Sequence, residues 1–402
     1  LCDLRPQVYC TCGLFLVCKQ GPPDRKGKDV RVNVRRLKTT FYELLRLNSP
    51  SRKEGPVARY VKAALRHVAD EWAEDGAGKA IGGNANNLVF RLRGTHPSAP
   101  ALAFVAHMDT VEPTAGIRIR RRGTVVRSDG STILGADDKA AIAAMIEVAR
   151  SFARRRRAYG TLEFVFTVAE EIGLLGANHL DFGLIESRLG LVLDSNVPVG
   201  GIITSAPSSE AIEVRIHGRK AHAGIEPERG VNAIAVAARA IARIKQGRLD
   251  EETTANIGVI EGGTASNIVP DEALVRGEAR SFSKQKLARQ MRHMKQCFLK
   301  AAEAAGARAQ IETTQWFTTY HIPRTHRLVQ AAARAARAVG RRAKILRSGG
   351  GSDASVFNKH GIPCPVLGLG FADPHTKEES MDLLELEAVA RWMLEIVKAL
   401  EP

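Results

Sequence analysis

Residues 101–110 read ALAFVAHMDT, an uninterrupted apolar run that ends in His107, Met108, Asp109 and Thr110. A run this short and this apolar has the character of a strand buried on both faces, one that delivers polar groups at its C-terminal end. The same pattern returns at 161–171, where TLEFVFTV leads into Ala169, Glu170 and Glu171, and at 189–194, where LGLVL leads into Asp194. An Ala-rich helical stretch at 138–154 separates the first two. Strands that alternate with helices and end in polar groups predict an α/β fold: a doubly wound domain with a mixed or parallel sheet, helices on both faces, and a ligand site at the strand ends.

Working outward, apolar residues at three- and four-residue spacing predict helices over 36–47 and 56–75. Beyond about residue 205 the pattern changes. A strand at 210–218 places Ile212, Val214 and Ile216 on one face; a helix over 231–245, strands at 253–260 and 272–280, a helix over 284–305 and a strand at 307–316 follow. That order predicts an inserted α+β, ferredoxin-like domain over 206–322. A helix over 325–340, a strand at 364–370 and a helix over 383–400 then resume the first pattern, so 323–402 is expected to complete the domain begun at 34–205. Residues 1–33, with Cys2, Cys10, Cys12 and Cys18, are expected to be a disordered N-terminal extension; Cys10 and Cys12 could hold a metal or form a disulfide, but no second pair at zinc spacing follows.

Composition narrows the class. With 402 residues, 44% hydrophobic, 25% charged, 36 Gly and 17 Pro, the chain is not collagen-like, a coiled coil or wholly disordered. Its net charge of +16 is scattered through helices apart from a basic run at 154–157, and aromatics are only 5%, so a nucleic-acid partner gains no support. No segment approaches the roughly 20 apolar residues needed to span a bilayer, which predicts no membrane-spanning helix. After position 18 only Cys297 and Cys364 occur, a usage that points to a reducing cytoplasm.

His107, Asp109, Asp137, Glu170, Glu171, Asp194 and His375 all fall where predicted strands or loops end. Two imidazoles and several carboxylates form the mixed nitrogen and oxygen set that suits Zn²⁺, Mn²⁺ or Co²⁺ and that a two-metal centre needs. A carboxylate shared between two such ions would hold them roughly 3.5–4 Å apart, and an unligated Glu beside the water between them would act as general base. The neighbours Glu170 and Glu171 suit that division, one side chain coordinating and the other moving protons. Asp109, two residues after His107, can accept the second N–H of that imidazole.

Eight segments carry a wider likeness: AHMDT at 106–110, LGADDK at 134–139, TVAEEIG at 167–173, LD at 193–194, KAHAG at 220–224 with GVNA at 230–233, GGTASNIVP at 262–270, SGGGSD at 348–353 and PHT at 374–376. In this order, across roughly 36–402, the chain resembles the M20 family of dinuclear metallopeptidases and, within it, the peptidase T-like tripeptide aminopeptidases. The resemblance implies two divalent ions per subunit, Zn²⁺ first and Mn²⁺ or Co²⁺ next. His107 and Asp194 would hold one, Glu171 and His375 the other, and Asp137 would bridge them, followed by a cis Asp137–Asp138 bond. It further implies Glu170 as general base and acid, Asp109 as the residue that orients His107, and His222 as an oxyanion donor reaching a partner subunit, hence a homodimer formed through the inserted domain. Asn267 and Arg280 would bind the carbonyl and carboxylate ends of a short peptide, with backbone amides at Gly350 and Gly351 close to it. Lys139-Ala140-Ala141 departs from the Gly common after the bridging Asp in that family. The implied activity is hydrolysis of the N-terminal amide bond of short peptides. The same metal core would serve an amidohydrolase acting on N-acyl amino acids, whereas a non-catalytic binding module would have no use for Glu170.

Overall fold

The computed structural model describes residues 16–17, 30–96, 98–153 and 159–401; Cys2, Cys10, Cys12, Cys18 and the basic run at 154–157 lie outside the described residues. Of the stretch expected to be a disordered extension, Leu16–Val17 pairs antiparallel with Glu71–Glu74. The chain divides into two compact units. One holds the described residues up to Ser205 with His321–Arg347 and those from Ser352 onward, the other Ala206–Tyr320 with Ser348–Gly351.

The first unit is built on a mixed sheet. Leu102–His107 lies between Leu162–Thr167 and Gly190–Leu193, parallel to both, and Val366–Leu367 runs parallel to Gly190–Leu193. Beyond Leu162–Thr167, Leu88–Leu92 and then Glu71–Glu74 join antiparallel. At the other side Gly201–Ala206 is antiparallel to Val366–Leu367 and parallel to Lys344–Arg347. Every residue of Leu102–His107 and Leu162–Thr167 is buried, as a sheet covered on both faces requires. Phe104 and Phe164 stack across the pair at 5.8 Å. The helix Ala136–Ala153 packs on these strands and against the helices Val34–Leu45 and Leu383–Ala399, while Asp353–Lys359 packs on Gly190–Leu193.

Two expectations change. The helix expected over 56–75 is Gly55–Leu65, and Glu71–Glu74 is a strand. Trp72 stacks on Phe90 at 5.8 Å and Glu71 pairs with buried Arg91 at 2.7 Å, so pairing with Leu88–Leu92 overrides the local helical spacing. The strand expected over 364–370 is only Val366–Leu367. Pro363 and Pro365 have no amide to give, although their carbonyls accept from Gly190 and Val192.

In the second unit the strands Thr253–Gly262, Glu272–Ser281, Ser208–His217 and Arg308–Phe317 lie side by side in that order, all antiparallel. Numbered along the chain this is 2-3-1-4, the split β-α-β arrangement of ferredoxin-like folds. Ile212, Val214 and Ile216 are buried against the helices Ala233–Arg243 and Lys284–Ala304. The run 348–351 groups here because the Gly349 carbonyl accepts from Arg280 at 3.1 Å and Gly351 lies against the Phe317 ring. Among the described residues no helix is long and apolar enough to cross a membrane.

Phe298 is fully buried in this second core. Phe298→Ala is expected to destabilise the second unit by about 3–5 kcal/mol. The check is the urea midpoint followed by circular dichroism; an unchanged midpoint would contradict the packing described.

Candidate metal centre

Each group of the cluster is delivered by the end of an element. His107 is the last residue of its strand, Asp194 directly follows Gly190–Leu193, Glu170 and Glu171 lie in the loop after Leu162–Thr167, and Asp137 opens the helix Ala136–Ala153. The Asp137–Asp138 peptide bond is cis, and neither residue has helical dihedrals. His375 sits in the loop after Val366–Leu367 with a left-handed backbone, φ 63°.

Three sets of potential ligands have donor atoms within 4.8 Å of one another: His107 with Asp137 and Asp194, Asp137 with Glu171 and His375, and His107 with Glu170 and Glu171. Asp137 is common to the first two. Its Oδ1 lies 3.2 Å from His107 Nε2 and its Oδ2 3.5 Å from His375 Nε2, while Glu171 Oε1 is 3.1 Å from His375 Nε2. Two atoms bound tetrahedrally to one ion at about 2.1 Å lie about 3.4 Å apart, so these spacings are those of ligands that share an ion. One oxygen of Asp137 faces each imidazole, the disposition of a bridging carboxylate.

A surrounding layer holds these groups. His107 Nδ1 is 2.9 Å from the backbone carbonyl of Asp109 and 3.4 Å from its carboxylate, so both face that N–H and the carbonyl is the nearer acceptor. With Nδ1–H turned to Asp109, Nε2 is the nitrogen on the Asp137 side and the one left to serve as a metal ligand. The Asp109 carboxylate also accepts from the amides of Glu170 at 3.0 Å and Glu171 at 3.1 Å and from the Ser51 hydroxyl at 2.7 Å. Glu379, buried, accepts from the amides of Gly135 at 2.6 Å and Asp137 at 3.0 Å and so holds the backbone that carries the Asp137 carboxylate. Asp353, also buried, accepts from the Thr167 hydroxyl at 2.5 Å. Sequence reading singled out neither Glu379 nor Asp353 for a role. Asp353 closes the SGGGSD segment, a usable signal; Glu379 follows His375 by four residues in an ordinary polar loop and gives none.

Electrostatics give the cluster its chemical demand. Burial, and then the charge of Asp194, hold the Glu170 carboxyl well above the usual range. Burial and the nearby Asp137 push Asp194 up to about 8. Burial works against the Asp137 anion, yet hydrogen bonds from His107 and His375 bring it down to about 2. Asp137 and Glu171, as acceptors, lift His375 to about 10. Carboxylates crowded out of water repel one another unless cations stand between them, and the nitrogen and oxygen donors present fit divalent Zn²⁺, Mn²⁺ or Co²⁺.

The remaining sequence candidates belong to the second unit. His222 is exposed on the short strand Ala221–His222, which pairs with Ile268–Val269, and the Ala223 amide donates to the Asn267 carbonyl at 2.9 Å, so His222 and Asn267 are neighbours. Arg280 forms a second group: its guanidinium forks onto Glu278 at 2.9 and 3.0 Å, donates to the Gly349 carbonyl and lies 5.8 Å from the Phe317 ring centre. The Gly350 amide donates to the Ser348 hydroxyl at 3.0 Å, and Gly351 lies against the Phe317 ring.

The sequence profile of peptidase family M20/M25/M40 matches residues 103–399. The uncharacterized protein YqjE of Bacillus subtilis (strain 168) is 40% identical over 367 residues, 91% of this chain and 99% of that protein. Peptidase T of Escherichia fergusonii is 25% identical over 279 residues, 68% of each chain. Among solved structures, a tripeptidase from Staphylococcus aureus subsp. aureus Mu50 superposes with a TM-score of 0.88 at 38% identity, covering 92% of this chain and 99% of that one. The aminopeptidase PepT from Bacillus cereus ATCC 10987 gives 0.85 at 38% identity, covering 92% and 100%.

Because the cluster gathers four carboxylates that repel one another, adding Zn²⁺, Mn²⁺ or Co²⁺ to metal-stripped protein is expected to raise its Tm. The stabilisation should reach about 2.7 kcal/mol when free ion stands about 100-fold above Kd. Asp137→Asn should lose most of that rise. Scanning calorimetry with and without each ion checks both, and equal Tm values throughout would count against the site.

Proposed function

The chain belongs to peptidase family M20/M25/M40 and is a hydrolase of that family; from that premise we propose that it is a dinuclear metal-dependent aminopeptidase releasing the N-terminal residue of short peptides, tripeptides in the first place. The observation that carries the reading is the disposition of Asp137, with one oxygen toward His107 and the other toward His375, beside Glu170. The likeness to a tripeptidase and to an aminopeptidase at 38% identity over nearly the whole chain supports the choice of substrate.

In this reading His107 and Asp194 would hold one ion, Glu171 and His375 the other, and Asp137 would serve both. Bound divalent ions would supply Lewis-acid polarisation of the scissile carbonyl and acidify the attacking water. Glu170 would take the proton from that water and return it to the leaving nitrogen. Asp109 keeps the loop of Glu170 and Glu171 in place through their amides, and its carbonyl fixes the His107 tautomer. Glu379 holds the backbone of Asp137.

The second unit supplies recognition. His222, exposed and next to Asn267, acts as the donor to the developing oxyanion, reaching the centre of a second copy of the chain, so the working form is a homodimer. Arg280 takes the peptide carboxylate, which requires its guanidinium to turn from Glu278. The buried free thiols of Cys297 and Cys364 suit a cytoplasmic compartment.

Release of the N-terminal residue from free tripeptides, but not from N-blocked ones or from N-acyl amino acids, is the expected result once metal is restored. Cleavage confined to N-acyl amino acids would replace the peptidase reading with a deacylase. Glu170→Gln should lower kcat by about 10²–10⁴-fold while leaving metal content unchanged; a fully active variant would remove Glu170 from the mechanism.

A further inference from the structure

We infer that Glu54 is a positioning residue for the loop that carries Glu170 and Glu171, acting through the amide of Ala169. The inference rests on the reading of Glu171 as a metal-holding group.

Glu54 is fully buried, directly before the helix Gly55–Leu65. Its Oε1 accepts from the amides of Arg52 at 2.7 Å and Ala169 at 3.0 Å, and its Oε2 has no hydrogen-bond partner. Burial, with Asp109 nearby, raises its pKa, so the carboxylate is electrostatically unfavourable where it stands.

What the carboxylate does is hold a bend. Ala169 has φ 51°, left-handed backbone that a residue with a Cβ adopts only when its surroundings hold it there. Four successive amides around that bend are accepted by side chains from outside the loop: Val168 by Asn87 at 3.0 Å, Ala169 by Glu54 at 3.0 Å, and Glu170 and Glu171 by the two oxygens of Asp109 at 3.0 and 3.1 Å. Asn87 holds the chain before the bend and Asp109 after it. Glu54 takes the amide of the residue at which the direction changes, whose carbonyl accepts from the Leu175 amide at 3.0 Å, and that residue's dihedrals set where the next two side chains point. The return of the loop leaves no slack, because a Cβ at Gly176 would lie 1.9 Å from the Val168 carbonyl oxygen.

The experiment is Co²⁺ titration of the metal-stripped full chain by calorimetry, with the visible absorption of bound Co²⁺ recorded alongside, for wild type, Glu54→Gln, Glu54→Leu and Glu54→Asp. Glu54→Gln keeps the acceptor oxygen and should bind Co²⁺ as wild type does, with the same spectrum. Glu54→Leu removes the acceptor and should weaken at least one Co²⁺ site by about 10–100-fold with a changed spectrum. Glu54→Asp keeps the charge but withdraws the oxygen, so it should follow Glu54→Leu and carries the test if that variant does not fold. Wild-type affinity and spectrum in folded Glu54→Leu or Glu54→Asp would overturn the inference alone, as would a Glu54→Gln variant as impaired as Glu54→Leu. Wild type that bound no Co²⁺ would overturn the metal reading and the inference with it.

Discussion

Carboxylates removed from water within a few ångströms of one another repel, and a folded chain keeps them together only if it supplies geometry that something positive can later satisfy. In this protein Asp137, Glu170, Glu171 and Asp194 meet two imidazoles at the ends of adjoining strands and loops. The rest of the first unit follows from holding them. Parallel strands buried on both faces fix where His107, Asp194 and the loop at 168–176 begin, and a layer of buried acceptors fixes where their side chains point.

That layer is itself acidic. Asp109, Glu379, Glu54 and Asp353 accept backbone amides or a hydroxyl rather than pairing with Lys or Arg, so they add negative charge around an already negative cluster. Buried acidic groups set close together favour cations between them and cost stability where none are bound. The layer also explains why the loop of Glu170 and Glu171 is irregular: its amides are spent on side-chain acceptors, not on a ladder.

Much of the fold was legible. The strands at 102–107, 162–167 and 190–193 announce themselves as unbroken apolar runs, and the strand–helix order of the second unit is readable from its change of period. The failures have physical causes. Trp72 and Arg91 pulled a helix-like spacing into a strand through contacts the local sequence does not contain. Glu379 and Glu54 escaped notice because their partners lie 242 and 115 residues away, at distances along the chain that no spacing rule reaches.

Sequence by itself determined the donor set, the strands that carry it and the presence of a Glu next to a potential ligand, because these are properties of residue type and local period. Only the tertiary structure decided which oxygen of Asp137 faces which imidazole, that the carbonyl of Asp109 is the nearer acceptor for His107, and that Ala169 bends the loop. Those outcomes depend on differences of a few tenths of an ångström between competing acceptors, and such differences are set by packing from elements far apart in the chain.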